Sequence, residues 1–145
     1  MDQSPQRLGP TDSQPYAQEG YDLMGACFEV HTELGGGLAE EVYQESLEIE
    51  LALRNIPCLS KHELVVFYKG RRLKKRYLPD FVVASRIVVE LKSVSSLTSD
   101  HEAQLFNYLR IARQPVGYLV NFGPVDKLQW KRFVLSQFVG LGDNR

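Results

Sequence analysis

An α/β (α+β) domain with a central mixed β-sheet flanked by helices, in the order ααβββαββ, is predicted by three observations. Two stretches of helical period open the chain, β-branched runs separated by turn residues come next, and one capped helix interrupts those runs. The chain has 145 residues, 43% of them hydrophobic, enough to bury one ordinary core with little left for a second.

Residues 1–19 are rich in Gln, Ser, Pro and Gly and nearly lack aliphatic side chains, so they cannot bury enough apolar surface to offset their ordering entropy. They read as a disordered N-terminal tail, with one domain over 20–140 and a short C-terminal tail over 141–145. From Tyr21, the apolar positions Leu23, Cys27, Val30 and Leu34 recur at helical spacing, and Gly35-Gly36-Gly37 ends that helix. A second helix spans about 39–54, with Tyr43, Leu47 and Leu51 on one stripe, and Asn55-Ile56-Pro57 closes it. The β-branched and aromatic run 63–68 predicts a strand, Lys69-Gly70 a hairpin turn, and the residues from Arg71 to Val83 its partner. After a turn at Ala84-Ser85-Arg86, the run 87–92 is apolar on both faces at its start and reads as a central strand covered on both sides. Ser99-Asp100-His101-Glu102 has the S-x-x-E form of a capping box and opens a helix that Gln114-Pro115 stops. Strands over 116–121 and 128–134 complete the domain, separated by Phe122-Gly123-Pro124.

Charge and cysteine content narrow the function classes. With 17 basic and 18 acidic residues the net charge is −1, so bulk positive charge does not hold this chain on nucleic acid and any such contact is local. Cys27 and Cys58 form no C-x-x-C pair, which argues against a disulfide framework and a structural zinc site. No apolar run approaches the roughly 20 residues needed to span a bilayer, and the N-terminus lacks an export signal. A cytoplasmic protein with no membrane partner is the expectation.

The chemistry-bearing pattern lies in the middle of the chain. A three-residue turn centred on Ser85 puts Asp80 directly opposite Glu90, with Cβ atoms about 4.5–5.5 Å apart on one face of the sheet. Two such carboxylates in an otherwise apolar sheet repel each other and lose hydration, unless a proton or a cation intervenes. Lys92, two residues on, shares the face of Glu90. Hard oxygen donors without His or Cys suit Mg2+, with Mn2+ able to substitute. The plainer alternative makes Asp80 a turn residue after Pro79, and Glu90 and Lys92 charges that end a strand.

Several residues can support this trio. Glu40 shares the stripe of Tyr43 and Leu47 and can bring a third acid to the sheet, or simply favour the helix N-terminus as the adjacent Glu41 does. His101, Gln104 and Tyr108 fall on one face of the later helix, able to hold a phosphate or a base, or to form a solvated face. Lys69, Arg71, Arg72, Lys74, Lys75 and Arg76 crowd the approach to Asp80, where they can neutralise phosphates or block edge-to-edge association. Tyr68 and Tyr77 beside them are candidates for base stacking.

Taken together, these residues resemble the GxxExxY family, a branch of the PD-(D/E)XK nuclease superfamily. The naming motif reads Gly37-Leu38-Ala39-Glu40-Glu41-Val42-Tyr43, the nuclease signature Pro79-Asp80 with Glu90-Leu91-Lys92, and Gln104-Leu105-Phe106-Asn107-Tyr108 is similar to a Q-x-x-x-Y element. Glu-x-Lys alone is nearly uninformative, whereas the ordered set, covering residues from Met24 to Phe133, is specific. The resemblance implies a restriction-endonuclease-like core in which Asp80, Glu90 and the Leu91 carbonyl bind Mg2+. It further implies that Glu40 completes the acidic cluster, Lys92 serves the attacking water, and Gln104 and Tyr108 support the site. A Mg2+-dependent nuclease acting on DNA is therefore the leading expectation. The rivals are a non-catalytic module binding nucleic acid or protein and a homodimer or larger complex in which alone the centre works.

Overall fold

The computed structural model describes residues 14–140, so the expected tails fall outside it except for 14–19. The first helix, α1, spans Ala17–Leu34, which makes residues 17–19 helical where a tail was expected. Arg132 reaches the Pro15 carbonyl at 2.7 Å and ties this start to the far edge of the sheet, a long-range contact that local composition does not reveal. Helix α2 spans Glu40–Leu53 and buries Tyr43, Leu47 and Leu51, the stripe that the sequence predicts.

A five-stranded mixed sheet is the second layer. Its strands are β1 (Cys58–Ser60), β4 (Phe81–Val83), β5 (Ile87–Lys92), β6 (Val116–Asn121) and β7 (Gln129–Val134), in the spatial order β1-β4-β5-β6-β7. Only β5 and β6 run parallel, joined by helix α3 (Ser99–Ala112), while the other neighbours are antiparallel. A parallel pair needs a long crossover, and α3 supplies it. The fold class is thus a mixed α+β architecture of the restriction-endonuclease-like kind, and the sheet and its helices keep the order ααβββαββ.

The first strand of that order is not the one expected. The run 63–68 does not enter the sheet; Cys58–Ser60 does, and β2 (Phe67–Tyr68) pairs only with β3 (Arg71–Arg72) in a separate ribbon. Its turn is at Lys69-Gly70, as expected, with φ of 48° and 77°, the left-handed pair that a two-residue hairpin requires. The expected long strand from Arg71 to Val83 also breaks. Leu73 donates to the Val66 carbonyl, but the next pairing joins Leu64 to Tyr77, so Lys74, Lys75 and Arg76 bulge out. Aromatic and β-branched residues favour strands because they pack on a half-buried surface, and this ribbon has none.

The two faces of the sheet carry separate cores. On β5, Ile87, Val89 and Leu91 pack under α1 and α2, while Val88 packs under α3 with Leu105, Tyr108, Leu109 and Leu119. The alternation sends Glu90 and Lys92 toward α3. The cap of helix α3 lies one residue earlier than expected, because Thr98 rather than Ser99 closes the capping box, with the His101 N–H donating to Thr98 Oγ1 and its Nδ1 accepting the Thr98 N–H. An imidazole nitrogen replaces the expected Glu102 carboxylate, a variant that the S-x-x-E pattern does not cover. No helix among the described residues is long and apolar enough to cross a membrane.

The turn between α1 and α2 explains its three glycines. Gly35 and Gly37 take φ of 74° and 90°, and a Cβ on Gly36 would lie 2.1 Å from the Pro124 carbonyl oxygen. Gly36→Ala is expected to destabilise the fold by roughly 1–3 kcal/mol, the usual cost of overpacking, because backbone cannot step aside. Urea denaturation with an unchanged m-value checks it.

Candidate functional site

The site is built where β4 enters the sheet. The observed register pairs Val83 with Ile87, Val82 with Val88 and Phe81 with Val89, so the next position sets Asp80 opposite Glu90, as the turn at Ser85 predicts. Both side chains are 4% exposed. They are tied reciprocally: Glu90 Oε1 accepts the Asp80 N–H at 2.8 Å, and Asp80 Oδ2 accepts the Leu91 N–H at 2.8 Å.

Continued two positions past the end of the strand, the same register would set Pro79 opposite Leu91. Leu91 directs its N–H and carbonyl toward β4, because the Lys92 carbonyl, one residue on, points the other way and accepts the Phe122 N–H at 2.8 Å. Proline has no N–H to return to the Leu91 carbonyl. The ladder stops at the acidic pair: the Asp80 side chain takes over the Leu91 N–H, and Pro79 can offer the Leu91 carbonyl no N–H.

Electrostatics show what this arrangement costs. Burial, with the Asp80 charge second, pushes the Glu90 carboxyl up to about 8, against the opposing pull of the Asp80 N–H, Lys92 and Lys61. Burial followed by Asp80 also raises the Glu40 carboxyl, partly offset by Lys92 and Lys61. Lys61, which no sequence motif singles out, places its ammonium directly on Asp80 Oδ1. Burial works against that ammonium, yet the Asp80 hydrogen bond and charge, with Glu90 and Glu40, outweigh it and raise its pKa. Lys61 is thus a stand-in cation on the acidic pair. Sequence reasoning misses it because β1 is three residues long, too short for a period, and only its pairing with β4 brings Lys61 beside Asp80.

On the α3 side, Lys92 Nζ donates to Gln104 Oε1 at 3.0 Å. The Tyr108 phenol, one turn on from Gln104, has its pKa raised by burial first and then by Glu90. Lys92 and Gln104 are thus joined, and Tyr108 stands on the same helix within electrostatic reach of Glu90. His101 lies a turn earlier, with Nδ1 engaged in the cap. Among the described residues no three His, Cys, Asp or Glu side chains gather closely enough to hold a metal ion, so Glu40 stands within electrostatic reach but apart from the pair. What the geometry offers a cation is two opposed carboxylates and a backbone carbonyl, an all-oxygen donor set suited to Mg2+ or Mn2+.

Glu40 owes its position to a clamp. The Tyr43 hydroxyl donates to the Gly35 carbonyl at 2.6 Å and accepts the Leu38 N–H at 3.0 Å, and its ring stacks on Phe122 at 4.6 Å. Ser93, just past Lys92, bonds the Leu38 carbonyl. The Gly37, Glu40 and Tyr43 spacing thus encodes a turn, an acid and the clasp that holds the turn against the end of β5. Tyr43→Phe is expected to cost about 1–3 kcal/mol by orphaning part-buried backbone groups, and to lower any activity that depends on Glu40 more than the loss of stability explains; paired melting and rate measurements check it.

A family model for the PD-(D/E)XK nuclease superfamily matches residues 17–133, spanning α1 through β7 and so the whole acidic centre. The chain belongs to the PD-(D/E)XK nuclease superfamily. Nucleases of this superfamily generally use divalent metals. Among solved structures, the crystal structure of SSO0001 is similar in fold, with a TM-score of 0.54 at 20% identity, covering 89% of this chain. This chain spans 66% of that one, just under two thirds of its length. No curated protein matches.

The six basic residues expected to crowd the approach to Asp80 are all exposed, and they stand on the ribbon and its bulge rather than on a strand of the sheet. Arg72 and Arg76 reach Glu63 at 3.4 and 3.2 Å, while Lys69 and Lys75 lie over the rings of Tyr68 and Tyr77.

Proposed function

We propose that this domain is a Mg2+-dependent nuclease of the GxxExxY branch, hydrolysing phosphodiester bonds in DNA, with Mn2+ able to substitute. The observation that carries the reading is the facing pair of buried carboxylates, Asp80 and Glu90, tied to each other's backbone. Asp80, Glu90 and the Leu91 carbonyl would hold the ion directly, and Glu40, standing apart, would reach it through water. When bound, a divalent ion polarises a phosphoryl oxygen and lowers the pKa of water.

This chain's own residues supply the rest. Lys92, held by Gln104, orients or deprotonates the attacking water and offsets negative charge that grows on the phosphoryl oxygens. Gln104 holds that lysine, and Tyr108 lies within electrostatic reach of Glu90. Lys69, Arg71, Arg72, Lys74, Lys75 and Arg76 neutralise backbone phosphates, and His101 lies on the same side of the sheet. A cytoplasmic setting suits two unpaired cysteines.

Purified protein incubated with single-stranded, duplex and branched DNA and with RNA, in Mg2+, Mn2+ or chelator, tests the reading. Metal-dependent cleavage is the expected result, and cleavage indifferent to chelator overturns it. One observation favours a second reading, a non-catalytic binding module: both Asp80 oxygens already have partners in Lys61 and the Leu91 N–H. Calorimetry separates the two, since a module of that kind binds DNA without taking up divalent ions at millimolar concentration.

A further inference from the structure

We infer that the β2–β3 ribbon is a base-stacking platform for unpaired nucleic acid, with Phe67 and Tyr68 receiving bases and the surrounding cations receiving phosphates. The inference deepens the nuclease reading by naming its substrate class as strands with unpaired segments, and it rests on that reading only for the cleavage of a strand once bound.

The first observation is exposure. Phe67 and Tyr68 are each 63% exposed and are the only exposed Phe, Tyr or Trp residues among those described. Burying such a ring gains roughly 1.5–3 kcal/mol, yet the fold leaves both on a ribbon that joins no other sheet. The second is pairing. Phe67 stands opposite Arg72 and Tyr68 opposite Arg71, and opposed residues share a face, so each face of the ribbon presents one ring and one guanidinium. A ring beside a cation matches one nucleotide, a base beside a phosphate.

The third observation is charge. On a chain of net charge −1, residues 69–76 hold six basic side chains and no acidic one. Glu63 engages Arg72 and Arg76, and no salt bridge among the described residues engages Lys69, Arg71, Lys74 or Lys75. A nucleic-acid strand, a polyanion with one charge per nucleotide, offers the complementary charge. The fourth is anchorage. The excursion carrying the ribbon leaves the sheet at Lys61, whose ammonium touches Asp80, and returns to it at Asp80 itself. Near its root, Tyr77 packs edge-on against Tyr108 at 6.0 Å, and Tyr108 sits on the helix that carries Gln104. A strand seated on the ribbon is therefore led to the acidic pair.

The rings decide between unpaired and paired strands. In a duplex each base is already stacked and its π-face closed, so exposed rings offer it nothing, while an unpaired base has a face to give. Stacking ignores the sugar, so DNA and RNA single strands share this chemistry.

Fluorescence anisotropy in chelator, with labelled single strands of DNA and of RNA, the corresponding DNA duplex, and single strands carrying 2-aminopurine, tests the inference on the full chain without cleavage. The wild type is expected to prefer either single strand to duplex and to quench 2-aminopurine. Phe67→Ala and Tyr68→Ala should each weaken single-strand binding roughly tenfold, leave duplex binding within about twofold, reduce quenching and keep the salt slope, and the two together should abolish quenching. Lys74→Ala with Lys75→Ala should instead weaken both substrates and flatten the slope. Equal loss on duplex and single strand, unchanged single-strand binding, or no binding to either overturns the inference; unchanged circular dichroism separates these outcomes from misfolding. Because the readout is binding, a failure of the nuclease reading, in which cleavage ignores Asp80, leaves this result intact and is told apart from it.

Discussion

Asp80→Asn is expected to lower metal-dependent cleavage by roughly 10²–10³-fold or more, the scale lost when one preorganised electrostatic group is removed from a hydrolytic centre. The substitution is nearly isosteric, so the Leu91 N–H can still find the side-chain oxygen, and what disappears is the negative charge between Lys61 and Glu90. Three results should move together: cleavage falls, divalent-ion affinity falls, and the Lys61 side chain loses its ion pair. Lys92→Ala should produce a comparable fall in cleavage with ion binding retained, because that lysine bonds Gln104 rather than either acid. Rates with parallel calorimetry distinguish the two. Equal loss of ion affinity in both variants would contradict the division of roles between Asp80 and Lys92.

Glu90 is expected to release close to one proton when Mg2+ or Mn2+ binds near neutral pH. Its carboxyl is pushed up to about 8 from an ordinary value of 4.5, mainly by burial and then by Asp80, so the metal-free centre holds a proton there at pH 7. A folded pKa above the unfolded one stabilises the fold fully below the unfolded value, and the contribution is lost as pH rises through the folded value. The metal-free protein should therefore lose stability on the order of a few kcal/mol between about pH 5 and pH 9 through this group. Saturating Mg2+ should restore it at the alkaline end, since metal binding requires the deprotonated ligand. Calorimetry in two buffers of different ionisation enthalpy counts the proton, and melting at several pH values tracks the stability. Glu90→Gln should remove both the proton release and the alkaline loss.

Much of the site was legible because its parts are local. A three-residue turn fixes the register between β4 and β5, and that register alone brings Asp80 to Glu90 and sends Lys92 to the same face. The stripe of Tyr43, Leu47 and Leu51 and the run 87–92 likewise declare their burial through their own periods. What stayed hidden depends on contacts distant in sequence. Cys58–Ser60 is a strand only because β4 lies beside it, and Lys61 meets Asp80 only through that pairing. The run 63–68 has strong strand composition but no surface to pack on, so its residues form an exposed ribbon. The cap of α3 moved one residue because His101 accepts the bond that a carboxylate was expected to accept. The ordered motifs identified the superfamily; the reasons for Pro79, for the triple glycine and for Tyr43 required the structure.

The central claim is that Asp80, Glu90 and the Leu91 carbonyl share one divalent ion. Crystals soaked with Mn2+ and measured for anomalous scattering test it most directly. A shared ion predicts a single peak bonded to one oxygen of each carboxylate and to the Leu91 carbonyl, with the Lys61 ammonium displaced from Asp80. No peak between the two acids, with Lys61 still seated on Asp80, would contradict it.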